Sequence, residues 1–209
     1  MAETTSSSAP NASDVAFTDV VKAVQIERGS RAMFVERGAH GGFQTAITSG
    51  LAGFIGSTTT CFLATASAAG QPSVQHRGGP PGFLHVLDET TVAFADFAGN
   101  QQYISLGNLS ENPRVALILM DYEGRRRVKI WGHARVVAGD PALLKRLFPS
   151  GYRARAQQAI VVTVSAWDIN CSQHIPEMFH AARIAETIVE FQTRIEALEG
   201  EIARLNSRA

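Results

Sequence analysis

Between positions 61 and 165 the chain breaks into short β-prone runs, at 61–66, 73–77, 83–87, 92–96, 115–121, 126–137 and 159–165, separated by turn-forming residues. Ala69-Gly70-Gln71-Pro72 and Tyr122-Glu123-Gly124-Arg125 stand between successive runs as hairpin turns. Strands spaced this closely and joined this way predict a small antiparallel barrel.

Helices flank these runs. Val20, Val21, Val24 and Ile26 fall at helical spacing within 18–28, and Gly29 stands where a C-terminal cap belongs. The stretch 30–44 has no clear period and reads as loop or broken helix. Ile47, Leu51, Phe54 and Ile55 trace one helical face from Thr45 to about Gly56. Asp140 followed by Pro141 is a strong helix start for a segment reaching Phe148.

The cleanest period lies at the C-terminal end. Ile184, Ile188, Phe191, Ile195, Leu198, Ile202 and Leu205 alternate steps of four and three, an a/d heptad seam, with Arg194, Glu196, Glu199, Glu201 and Arg204 off it. Such a narrow stripe suits a seam between two copies better than packing onto the chain's own barrel, where a helix usually buries a wider face. The expected organisation is a disordered leader at 1–17, a helical extension at 18–44, the barrel domain at 45–175 and the heptad helix at 176–209. The fold class is α+β, mainly β: an antiparallel split β-barrel with flanking helices and a long C-terminal helix.

Composition narrows the function. A chain of 209 residues that is 45% hydrophobic and 18% charged can bury one sizeable core. Its formal net charge of zero removes the long-range attraction that drives non-specific binding to nucleic acid. No apolar run approaches the roughly 20 residues needed to span a bilayer, so no membrane partner is expected. The segment 1–14 lacks the basic and apolar regions of a secretory signal. Two cysteines, Cys61 and Cys171, fit a reducing cytoplasm as free thiols. The histidines, including His40, His76, His85, His133 and His180, are scattered, and no metal site is expected.

The ordered landmarks Ala64-Thr65 before Gly70-Gln71-Pro72, Gln75-His76-Arg77, Phe94-Ala95-Asp96-Phe97 before Gly99-Asn100-Gln101, Asn112-Pro113-Arg114, and Arg127-Val128-Lys129-Ile130-Trp131-Gly132-His133 resemble the FMN-binding split-barrel proteins related to pyridoxamine 5'-phosphate oxidase. The resemblance covers roughly residues 45 to 166. It implies a homodimer that binds FMN between its subunits and acts as a flavin-dependent oxidoreductase on a small-molecule substrate that the sequence does not specify. The alternatives are a non-catalytic FMN or haem binding, storage or sensor protein, and a deazaflavin-dependent reductase. Vitamin B6 oxidation is disfavoured, because the family's C-terminal Arg-x-His substrate grip is not evident and the heptad helix stands in its place.

The resemblance places Gln75, His76, Arg77, Gly78, Ala95, Asp96, Asn100, Gln101, Arg127 and Lys129 at the cofactor, with Arg77 reaching the ribityl phosphate. Where the family has a Ser-Arg-Lys phosphate grip this chain has Gly99, Asn100 and Gln101, so amide donors replace two cations and a neutral bond is about half as strong as a charge-assisted one. Period-2 alternation sets Arg127, Lys129, Trp131 and His133 on one face of their strand; that face is either solvated or turned toward the flavin or a dimer interface. Within 77–82, Arg77 and Gly78 belong by the cofactor while Pro80 to Gly82 make a turn. The string from Trp167 to Pro176 either caps the last helix or reaches substrate through Trp167, Gln173 and His174. His76 and His174 are the haem candidates. No catalytic acid or base is assigned.

Overall fold

The computed structural model describes residues 11–170 and 172–207; Cys171 and most of the expected leader lie outside them. The described residues form two compact units, one of 11–120 and 127–170 and one of 121–126 and 172–207.

The first unit is built on a seven-stranded antiparallel sheet: β1 (Thr60–Ala66), β2 (Pro72–Gly78), β3 (Leu84–Asp88), β4 (Thr91–Phe97), β5 (Arg114–Asp121), β6 (Arg126–Val137) and β7 (Ala156–Asn170), in spatial order β2-β1-β5-β6-β7-β4-β3. The polar face of β2 nevertheless meets β4, because Arg77 of β2 pairs with Asp96 of β4. The sheet thus curls until its two flanks face each other, which makes the split barrel.

Alternation drives that curl. Cys61, Leu63, Val115, Leu117, Leu119, Val128, Ile130 and Ala134 point inward from β1, β5 and β6, where they meet Phe94, Ile160 and Val162. Leu51, Phe54 and Ile55 of α3 (Ser49–Ser57) complete this core. Each fully buried Leu or Ile contributes roughly 1.5–3 kcal/mol. A smaller cluster on the opposite face seats Leu147 of α5 (Pro141–Leu147) on Ala93, Ala95, Ala159 and Val161. At Gly132 the β6–β7 ladder shifts register, and a Cβ there would stand 2.2 Å from the Thr163 carbonyl oxygen. Only glycine fits so close an approach.

Several expectations need correction. The stretch 30–44, read as loop or broken helix, holds a regular helix, α2 (Arg31–Ala39), after α1 (Asp19–Glu27); none of the residues of α2 is fully buried, so it carries no apolar stripe. Residues 12–15 are not leader but a 3-10 turn capped by Asn11, and the Phe17 ring packs edge-on against Phe34 and Phe43 at 5.1 and 5.2 Å. α3 begins at Ser49, where Thr48 accepts from the Leu51 N–H, rather than at Thr45. The last strand runs on to Asn170, so the first part of the 167–176 string is sheet and not connector. Its Trp167 is 4% exposed, pairs in the sheet with Ile130, and donates its indole N–H to the Ala46 carbonyl at 2.8 Å.

In the second unit, α6 (Ala181–Asn206) carries the heptad seam and buries none of its residues. An ion pair joins Arg183 of α6 to Glu123 in the β5–β6 turn. Among the described residues, no helix is long and apolar enough to cross a membrane.

Candidate functional site

Two adjoining clefts open where the curled sheet brings β2 and β4 together. The first, of about 390 Å³, is lined by Gln75, Arg77, Asp96, Asn100, Gln101 and the start of α4 (Ile104–Glu111). The second, of about 520 Å³, is lined by His76, Gly78 and Ala95 with the rings of Phe83, Phe94, Phe97 and Tyr152, and shares Arg77 and Asp96 with the first.

Arg77 is the hinge of the arrangement. Its side chain is 22% exposed, and its Nη1 lies 3.4 Å from Asp96 Oδ1 while Nη2 donates to Ser105 Oγ at 3.2 Å. The Nε of Arg77 is buried and has no hydrogen-bond partner. Asp96, itself 6% exposed, also accepts from Gln158 Nε2 at 3.0 Å. A guanidinium with an unspent buried donor, facing a cleft, is poised to hold an anion.

The backbone adds to this. α4 starts from Tyr103, whose φ is +52° and whose side chain makes no cap bond; Gln101 is also left-handed, at +60°. The first N–H groups of a helix have no partner within it, and together with the helix dipole they favour an anion. Left-handed non-glycine residues are strained, and two of them stand in one short segment that lines the cleft. Asn100 Oδ1 accepts from the Gln102 N–H at 3.2 Å, which folds this segment.

Sequence reasoning thus named five residues that the fold gathers into one cleft, Gln75, Arg77, Asp96, Asn100 and Gln101, and three more, His76, Gly78 and Ala95, that it sets in the other. It missed Ser105, Gln157 and the uncapped start of α4. A tyrosine before a helix is no capping signal, so only the backbone reveals that start.

The remaining candidates lie elsewhere. Arg127 and Lys129 line neither cleft; on their face of β6, Trp131 is covered by Phe43, with ring centroids 5.3 Å apart, and Lys129 stands opposite Asp168 of β7. Asp168 is buried and pairs with Arg37; burial raises its carboxyl above the ordinary value, against the lowering pull of Arg37, the Ile169 backbone and Lys129. Gln173 and His174 belong to the second unit, both exposed, with His174 at a φ of +62°. The His76 ring is held by Thr60 Oγ1, 2.5 Å from its Nε2. Burial pushes the Cys61 thiol up to about 12, only partly offset by nearby Arg77.

The model of the pyridoxamine 5'-phosphate oxidase family matches residues 47–171, more than half of the chain. The chain belongs to this family. Among solved structures, HupZ of Group A Streptococcus shares 16% identity with this pyridoxamine 5'-phosphate oxidase family member, over 64% of this chain and 99% of that one, with a TM-score of 0.48. An F420 reductase shares 22% over 61% and 100%, TM-score 0.42. HutZ, the haem storage protein of Vibrio cholerae, shares 17% over 56% and 89%, TM-score 0.40. Likenesses this distant say nothing about ligand. No curated protein matches the sequence.

Proposed function

We propose that this family member is an FMN-dependent oxidoreductase, acting on a small-molecule substrate as a cytoplasmic homodimer. The observation that carries the reading is the partnerless buried Nε of Arg77 beside the uncapped start of α4. The two cations missing from the 99–101 segment are replaced only in part by a helix terminus, whose partial positive charge is roughly half an elementary charge, so Arg77 carries most of the attraction.

The residues present fit the cofactor. Arg77, Ser105, the amides of Asn100 and Gln101 and the first turn of α4 would hold the phosphate; Phe83, Phe94, Phe97 and Tyr152 offer an apolar bed for a ring system. FMN bound there would supply two-electron chemistry through its isoalloxazine. The chain's own part is to bind, orient and shield: Asp96 and Ser105 hold the Arg77 guanidinium in the empty cleft until a phosphate takes it, and the aromatic side chains limit the access of water. Arg127 and Lys129, outside both clefts, would act on a flavin only from the second subunit of the dimer that is typical of this family.

The absorption spectrum of the purified protein, before and after incubation with FMN, tests the reading. Oxidised flavin bands that bleach with a reduced nicotinamide donor and return with an acceptor are expected. A haem spectrum would favour storage, with His76 binding iron through Nδ1 or giving up the Thr60 contact of its Nε2. A deazaflavin spectrum would favour an F420-type reductase, and failure to bind FMN would remove the proposal.

A further inference from the structure

We infer that α6 pairs with α6 of a second copy of this chain as a parallel, in-register, two-stranded coiled coil. The inference stands on the helix alone and does not rest on the flavin reading. All seven seam residues are exposed in the single chain, from 43% at Leu198 to 65% at Phe191. A continuous apolar stripe of this length on a lone helix requires a cover.

What covers it follows from which residues occupy which positions. Taking Ile184 as d, the a positions are Ile188, Ile195 and Ile202, and the d positions are Ile184, Phe191, Leu198 and Leu205. β-Branched residues at a with mainly leucine or larger unbranched-at-Cβ residues at d favour the parallel dimer over higher orders. The flanking positions agree with a parallel pair. In a parallel pair each g residue faces the partner's e residue five positions on. Arg194 at g therefore meets Glu199 at e of the partner subunit, twice by symmetry, while Thr187 faces Gln192 and Glu201 faces Asn206 of the partner subunit, with no like-charge contact. An antiparallel pair stacks a on d: with Ile195 on Phe191 of the partner subunit it sets the two copies of Arg194 together, and with Ile195 on Leu198 of the partner subunit it sets Arg194 against Glu201, so the side chains at a and d, and not charge alone, favour the parallel pair. The outward positions hold Glu186, Glu190, Glu196 and Arg204, which suit solvent and not a lipid surface or a second apolar partner.

Cysteine cross-linking in the full chain, with Cys171→Ser to remove the second native thiol, tests direction and register. Ile184→Cys and Leu205→Cys lie at opposite ends of the seam. A parallel pair predicts a disulfide-linked dimer from each variant alone under mild oxidation, and little from a mixture beyond what each gives by itself. An antiparallel pair predicts linkage only in the mixture, and that result overturns the proposal, as does the absence of linkage in every case. Arg194→Glu in the Leu205→Cys protein should slow linkage several-fold, and adding Glu199→Arg should restore it. A charge reversal without effect on the rate, or one not rescued by the second, likewise overturns the assigned pairing.

Discussion

If Arg77 holds a phosphate, its removal should distinguish FMN from riboflavin, which differs only in lacking that phosphate. In Arg77→Ala the cleft loses a donor whose Nε is already buried and unspent, together with the only arginine or lysine that lines either cleft among the described residues. A hydrogen bond to a charged group contributes about 1.5–3 kcal/mol, so FMN should bind roughly 10- to 150-fold more weakly. Riboflavin affinity should change less than about threefold. The same variant leaves Asp96 buried with only Gln158 as a partner, so the unliganded protein should also melt earlier. Asp96→Asn separates the two effects: it removes the carboxylate that competes for Arg77 and should strengthen FMN binding while still weakening the fold. Fluorescence titrations of both flavins, beside thermal melts, supply the numbers. Equal losses for FMN and riboflavin in Arg77→Ala, or no loss for either, would refute the placement of a phosphate at Arg77.

Three further outcomes follow from the fold. Gly132→Ala forces a Cβ toward the Thr163 carbonyl, which neither strand can vacate, and should cost about 3 kcal/mol and on the order of 10 °C in melting temperature; an unchanged melt would mean that the ladder yields there. Cys61, with its thiol pushed up to about 12, should resist a disulfide reagent at pH 8 in the Cys171→Ser protein until denaturant is added, and rapid reaction of the native protein would contradict its burial. Asp168 has a raised folded value, so its protonated form is favoured by folding and its contribution falls as pH rises from the ordinary carboxylate value near 3.8 through the raised one. The native chain should therefore lose stability relative to Asp168→Asn as pH increases across that range, and thermal melts showing the reverse slope would mean that the Arg37 pairing outweighs burial.

Most of the sheet was legible because one face of each strand is dry. In β1, β5 and β6 the inward residues alternate cleanly, and the expected limits fall within one residue of those observed. The far end of β7 was hidden, since the register shift near Ser165 breaks alternation and the residues beyond it, Asp168 and Asn170, look like loop. α2 escaped because a helix with no fully buried residue needs no stripe. At the site, the side chains of Arg77, Asp96, Asn100 and Gln101 were legible from the order of landmarks, whereas the left-handed turn at Tyr103 is a backbone event with no residue signature.

The Arg77–Asp96 pair has a consequence for the order of assembly. A lone buried guanidinium would demand an anion before the barrel could close, making the empty chain a poor folder. With Asp96 supplying the counter-charge, the cleft is electrically settled while empty, so the polypeptide can fold first and be loaded afterwards. An arriving anion then competes with Asp96 for the same guanidinium, which limits how tightly it is held and keeps exchange open.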